Sequence, residues 1–122
     1  MAGAQPISSQ DRKKLAAFSR CLDGFVEIRA AMSVGAIETF VAVANQEGLS
    51  LNEYAKVMDA PLSTVSRHLI DMSVKRRNGD VGYDLVIREV DPNNLRQNVY
   101  TLSARGKKLR SRIISAVESA SS

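Results

Sequence analysis

The chain has 122 residues, 44% of them apolar and 25% charged, the balance of one globular domain with a single core. One Cys and one His exclude a disulfide framework and a zinc site of the usual kind. An aromatic content of 5% and no Trp argue against single-strand binding by base stacking.

Ser8 or Ser9 can cap a first helix, with Asp11 favourable in its first turn. Leu15, Phe18, Leu22, Phe25 and Met32 then form an apolar stripe, widened by Cys21 and Ile28, which predicts a long amphipathic helix over about 9–31. Ser33 caps a second helix whose core face is Ile37, Phe40, Val41 and Ala44, and Gly48 stops it. Leu49–Leu51 reads as a short strand or extended link, Asn52–Met58 as a short third helix, and Asp59-Ala60 as a turn. Pro61 suits the opening of a fourth helix, about Leu62–Lys75, with Val65, Leu69 and Met72 on its inner side. Arg77–Tyr83 has loop composition. Leu85–Val90 and Asn98–Leu102 read as two strands of a hairpin with Asp91–Gln97 as its polar, arginine-bearing tip. Ser103 caps a last helix through about Val117, marked by Leu109, Ile113 and Val117, while the first seven residues and Ser119–Ser122 are expected to fray.

Met1–Ser9 lacks the apolar stretch of a signal peptide, and the longest uncharged runs, Ala30–Ile37 and Thr39–Gln46, are far short of the ~20 residues of a membrane helix. These features point to a cytoplasmic protein without a membrane partner. The charge is segregated. Residues 1–61 carry six Lys/Arg against seven Asp/Glu, whereas residues 62–112 carry eleven against five, a balance of +6. Such a field attracts a polyanion, most commonly nucleic acid.

The order helix, helix, short helix, turn, helix, hairpin, helix describes a winged helix-turn-helix. The fold class is mainly α with a small β-hairpin, as one domain over 1–122 with long N- and C-terminal helices. The run Tyr54-Ala55-Lys56-Val57-Met58-Asp59-Ala60-Pro61-Leu62-Ser63-Thr64-Val65-Ser66-Arg67-His68-Leu69 carries the motif. Ala55 is small where two helices cross, and Val57 or Met58, Val65 and Leu69 fill the core between them. At 100° per residue, Ser63 and Arg67 lie opposite the Val65–Leu69–Met72 face, with Thr64 and Ser66 on the flanks. Ile70 and Val74 also fall on the outer side.

With Gln46-Glu47-Gly48-Leu49-Ser50 before the motif and Asn98-Val99-Tyr100-Thr101-Leu102-Ser103-Ala104-Arg105-Gly106-Lys107 after the hairpin, the chain resembles the MarR-type winged-helix transcriptional regulators over roughly residues 9–117. It departs from their pattern at Asp59, where the turn often has Gly, and in the wing, where Asp91 and Arg96 stand five apart. The Arg76–Tyr83 loop is long, and there is one C-terminal helix where the family often has two. The resemblance implies a DNA-binding regulator working as a dimer through its first and last helices, with residues 50–102 as the DNA-binding core and wing. Two-fold symmetry would then set two recognition helices ~34 Å apart on a palindromic operator.

The candidate DNA-binding residues are Ser63, Thr64, Ser66, Arg67 and His68 on the recognition helix, Lys75, Arg76 and Arg77 after it, and Asn94 and Arg96 in the wing. Arg67 has the fork to read a guanine edge. Ser63, Thr64 and Ser66 suit phosphates or single base contacts. Arg96 suits a narrow minor groove, assisted by Asn93, Asn94 and Gln97. Lys75, Arg76 and Arg77 suit phosphates, and His68 could touch a phosphate but reads more readily as an ordinary side chain on the helix flank. Cys21 reads as a small apolar filler rather than a sensing thiol. No catalytic site, metal site or cofactor is expected, since Gly106-Lys107 lacks the earlier glycine of a phosphate loop. The expected partners are double-stranded DNA and a second copy of the chain. No small-molecule effector is defined by the residues. The rival readings are a winged-helix module that recognises a protein and an architectural DNA-binding factor.

Overall fold

The computed structural model describes residues 6–74 and 81–121. In chain order the elements are α1 (Ser9–Ile28), α2 (Val34–Asn45), β1 (Leu49–Ser50), α3 (Leu51–Met58), α4 (Leu62–Asp71), β2 (Val86–Asp91), β3 (Asn94–Leu102) and α5 (Ala104–Ser121). The strands form one antiparallel sheet in the order β1-β3-β2. The expected hairpin therefore gains a third strand, because Leu49 and Ser50 pair with Tyr100 and Val99. This pairing fastens the wing to the chain entering the helix-turn-helix.

Helix starts follow the serines. Ser8 Oγ accepts from the Asp11 N–H at 3.0 Å, and Ser33 Oγ accepts from the Ala36 N–H at 3.1 Å. Ser103 Oγ accepts from the Gly106 N–H at 3.0 Å and donates to the Asp84 carbonyl at 2.7 Å, so one hydroxyl caps α5 and pins the approach to the wing.

The core gathers around Phe40, Tyr54, Leu69, Met72 and Leu85, all with 0% exposure. Phe25 of α1 meets Phe40 of α2 edge-on at 5.5 Å between ring centroids, which ties the first helix to the helix-turn-helix part of the core. Beside them α1 packs along α5. A Cβ built on Gly24 would stand 2.7 Å from Leu109 Cδ1, and the Cys21 thiol donates to the Ile113 carbonyl at 3.8 Å. Cys21 is buried, in keeping with its reading as a filler.

Several sequence-based expectations need correction. Helix α1 stops at Ile28, not 31, because Arg29 is extended at φ −162° and its N–H closes on Phe25. Its single expected stripe divides: Phe25 and Met32 enter the core, whereas Leu15 and Phe18 are 60% and 61% exposed and Leu22 is also open. In α2, Val41 is exposed, and Ala36, Thr39, Phe40 and Val43 are buried. Thr39 is accommodated there because its hydroxyl donates to the Gly35 carbonyl at 2.7 Å. Of the two candidates for the small core between α3 and α4, Met58 packs inward while Val57 is exposed.

Helix α3 starts at Leu51 because Ser50 forms a reciprocal capping box with Glu53. Helix α4 ends at Asp71, not Lys75. The returning chain takes its last carbonyls: Tyr83 N–H bonds Asp71 O, Leu85 N–H bonds Met72 O, Asp84 N–H bonds Ser73 O and Gly82 N–H bonds Val74 O. The strands run deeper into the wing than expected, and α5 continues helical to Ser121 instead of fraying from Ser119.

Candidate nucleic-acid interface

The turn between α3 and α4 is built by backbone geometry. Asp59 adopts φ 51° and ψ 50°, the left-handed conformation that ends α3, and the Ala60 N–H reaches the Ala55 carbonyl at 3.0 Å. Pro61 stands at the N-cap of α4, and its carbonyl receives both the Thr64 and Val65 N–H groups at 3.1 Å. Val65 and Leu69 are sealed at 0% exposure against α2 and α3. This inner anchor fixes the rotation of α4 about its axis. Ser63 and Arg67 therefore stand open to solvent, with Thr64 and Ser66 half-buried beside them.

His68 occupies a different side. A Cβ added to Gly35 would lie 2.7 Å from His68 Nε2, so the imidazole rests against the first turn of α2. That contact braces α4 against α2. Lys75, Arg76 and Arg77 lie outside the described residues.

Ile70, in the last turn of α4, and Val74, just beyond its end, line a cleft of about 560 Å³ between α4 and the wing. Ser73, Val86, Ile87, Arg88 and Tyr100 complete its wall. The apolar pair is thus at the rim of the space between α4 and the β-sheet. Arg88 is exposed on β2 at this cleft, a cation that the sequence reading counted only as charge.

In the wing, Arg96 belongs to β3 and not to the turn itself, which is Pro92-Asn93. Val90 pairs with Asn98 and Asp91 with Asn94, so Leu95, Arg96 and Gln97 form an irregular bulge between two registered pairs. The Asp91 carboxylate accepts from the Asn93 N–H at 2.9 Å and from Gln97 Nε2 at 3.1 Å. Asn94 Oδ1 accepts from the Arg96 N–H at 3.2 Å. Gln97 and the Asn94 carbonyl oxygen thus brace the turn, while Arg96 and Asn94 remain exposed.

Two groups lock this wing to the body. The Glu47 carboxylate accepts from the Leu102 N–H at 2.8 Å and from Arg110 Nη1 at 3.1 Å. The Leu102 N–H above all, together with Arg110, holds its pKa below the usual carboxylate range. The Tyr54 hydroxyl donates to the Gln46 carbonyl at 2.6 Å and accepts from the Leu49 N–H at 3.3 Å. Its ring meets Tyr100 at 6.4 Å, and burial pushes both phenol pKa values up. Among the described residues, no group of three His, Cys, Asp or Glu is placed to hold a metal ion, and no helix is long and apolar enough to cross a membrane.

No protein-family model matches the sequence, and no curated protein matches it in sequence. Solved structures do match the fold. The Mycobacterium tuberculosis protein RV1404 superposes with a TM-score of 0.66 at 15% identity, covering 95% of this chain and 79% of that one. The S. aureus MepR–DNA complex gives a TM-score of 0.66 at 20% identity, covering 91% of this chain and 84% of MepR. The transcriptional repressor CouR, bound to a 23-mer DNA duplex, gives 0.60 at 16% identity, covering 88% and 69%. MarR from E. coli and the MarR-family regulator SP03579 match with TM-scores of 0.59 and 0.58. The chain thus has the winged helix-turn-helix fold, with long flanking helices, of the MarR-type regulators that its sequence resembles.

Proposed function

We propose that the protein is a sequence-specific regulator of transcription that binds double-stranded DNA, acting as a homodimeric repressor on a palindromic operator. The observation that carries this reading is the outer face of α4. Ser63 and Arg67 are exposed there on a helix whose opposite face is sealed, the arrangement a recognition helix needs to enter a major groove. Arg67 reads a guanine edge, and Ser63, Thr64 and Ser66 contact phosphates or single base edges. Arg96 and Asn94 reach the minor groove, while Lys75, Arg76, Arg77 and Arg88 neutralise backbone phosphates. Each phosphate neutralised adds about 0.9 to the log–log salt slope. His68 serves by holding α4 against α2. MepR and CouR, the fold neighbours solved with DNA, support the partner class.

The second copy of the chain is the partner proposed for α1 and α5. Leu15, Phe18, Leu22 and Val26 fall on one face of α1, opposite the residues that pack on α5, and all four are exposed. On α5, Ile114 and Val117 are exposed apolar residues as well. We place the protein in the cytoplasm, by its likeness in fold to transcriptional regulators.

Selection of bound duplexes from a random pool tests selectivity and symmetry together. Enrichment of an inverted repeat with half-sites about one helical turn apart is expected. Binding without enrichment would make the protein an architectural factor. Absence of binding would leave a protein-recognition module.

A further inference from the structure

We propose that Leu95 is a wedge: the wing enters the minor groove, and this side chain pushes between two stacked base pairs beside the place that Arg96 occupies. The inference rests on the DNA-binding reading above and goes beyond it, because it assigns a deforming residue and a preference for the base step deformed.

Leu95 is 79% exposed, and it immediately precedes Arg96 within the bulge of β3. The other large apolar residues of that strand are covered further: Tyr100 and Leu102 are buried, and Val99 is half-buried. Leu95 contributes nothing comparable to the core. Bulges re-aim side chains out of the regular sheet, and this one lies beside the turn at the far end of the hairpin.

The tip is also braced. Asp91 is bonded to the Asn93 N–H and to Gln97 Nε2, and Asn94 to the Arg96 N–H. A leucine on a floppy loop would fold aside against stacked bases, whereas a braced one can transmit force. Exposed Pro92 and Val90 add apolar surface to the otherwise polar end of the wing, next to a cation.

The chemistry fits the floor of a minor groove. Leucine has no group for a phosphate or a base edge, so its gain comes from exclusion of water against base faces. Apolar wedges of this kind unstack a step and kink the duplex. Arg96 supplies the attraction that carries the leucine in. Pyrimidine–purine steps unstack most readily, so the wing site should favour TA or CA/TG.

The test uses a duplex from the selected pool with 2-aminopurine placed in turn at each step flanking the wing site. Fluorescence is expected to rise at one step on binding of the full chain, and Leu95→Ala should abolish that rise while leaving the melting temperature unchanged. Replacing the step by AA should weaken wild-type binding about five- to tenfold and weaken Leu95→Ala binding by less than twofold. A bound duplex whose 2-aminopurine stays silent at every step, or brightens equally with Leu95→Ala, would overturn the wedge and leave the DNA-binding reading standing. Failure of the selection to yield any bound duplex would overturn both.

Discussion

Arg67 and Tyr54 show how differently single residues of this protein carry their consequences. Arg67 is exposed, so Arg67→Ala is expected to weaken binding to the selected duplex by about 1–3 kcal/mol, roughly five- to 150-fold, and to relax selectivity at one base pair. The thermal melt should not move, and fluorescence anisotropy together with a melting curve reads both. Tyr54 is the opposite case. Its hydroxyl joins the end of α2 to β1 through Gln46 and Leu49, so Tyr54→Phe should cost about 1 kcal/mol of stability. Burial raises the pKa of Tyr54 and Tyr100 above the ordinary 10.0. Their neutral forms are favoured in the fold, so that stabilisation is complete below pH 10 and declines as the pH climbs toward the raised values. Denaturation midpoints followed with tyrosinate absorbance should fall together above pH 10, and Tyr54→Phe should blunt the decline.

Between elements, backbone proximity decides more than side-chain size. A Cβ on Gly106 would stand 2.2 Å from the Leu85 carbonyl oxygen, where neither atom belongs to a flexible side chain. Gly106→Ala is therefore expected to cost at least about 2–3 kcal/mol by forcing α5 from the wing, visible as a fall in denaturant midpoint. The turn between α3 and α4 offers the reverse experiment. Asp59 holds a left-handed conformation that costs an ordinary residue about 1–2 kcal/mol. Asp59→Gly removes the strain but adds unfolded-state freedom, for a net gain of up to about 1 kcal/mol at unchanged DNA selectivity. Helix starts were legible in the sequence because Ser8, Ser33 and Ser103 act on amides a few residues away. Helix ends were less so. Helix α4 stops at Asp71 because residues 82–86 return to claim the carbonyls of residues 71–74, and no local pattern announces such a return.

At the scale of the molecule, the two flanking helices have two jobs. They close the core through Phe25 and Leu109, and they present a second apolar surface on the far side of α1. Phe18→Glu changes a side chain that is 61% exposed, so the monomer should still fold. Sedimentation should show loss of the proposed dimer, and affinity for the selected inverted repeat should drop at least about a hundredfold as the two half-sites uncouple. Retention of a Phe18→Glu dimer would move the interface elsewhere.

The order of elements, the helix-turn-helix and the exposed Ser63–Arg67 face were determined by the sequence alone, because periodicity, capping and turn chemistry act within a few residues. The sequence also located the basic half of the chain. Only the tertiary structure decided that Leu15 and Phe18 part from Phe25 and Met32, that His68 leans on Gly35, and that Arg96 sits in a bulge beside an exposed Leu95. Helical or strand spacing assigns a residue to a face, but which face is covered depends on what distant segment packs against it. Burial is a property of pairs of elements, and the residues that form each pair here lie tens of positions apart in the chain.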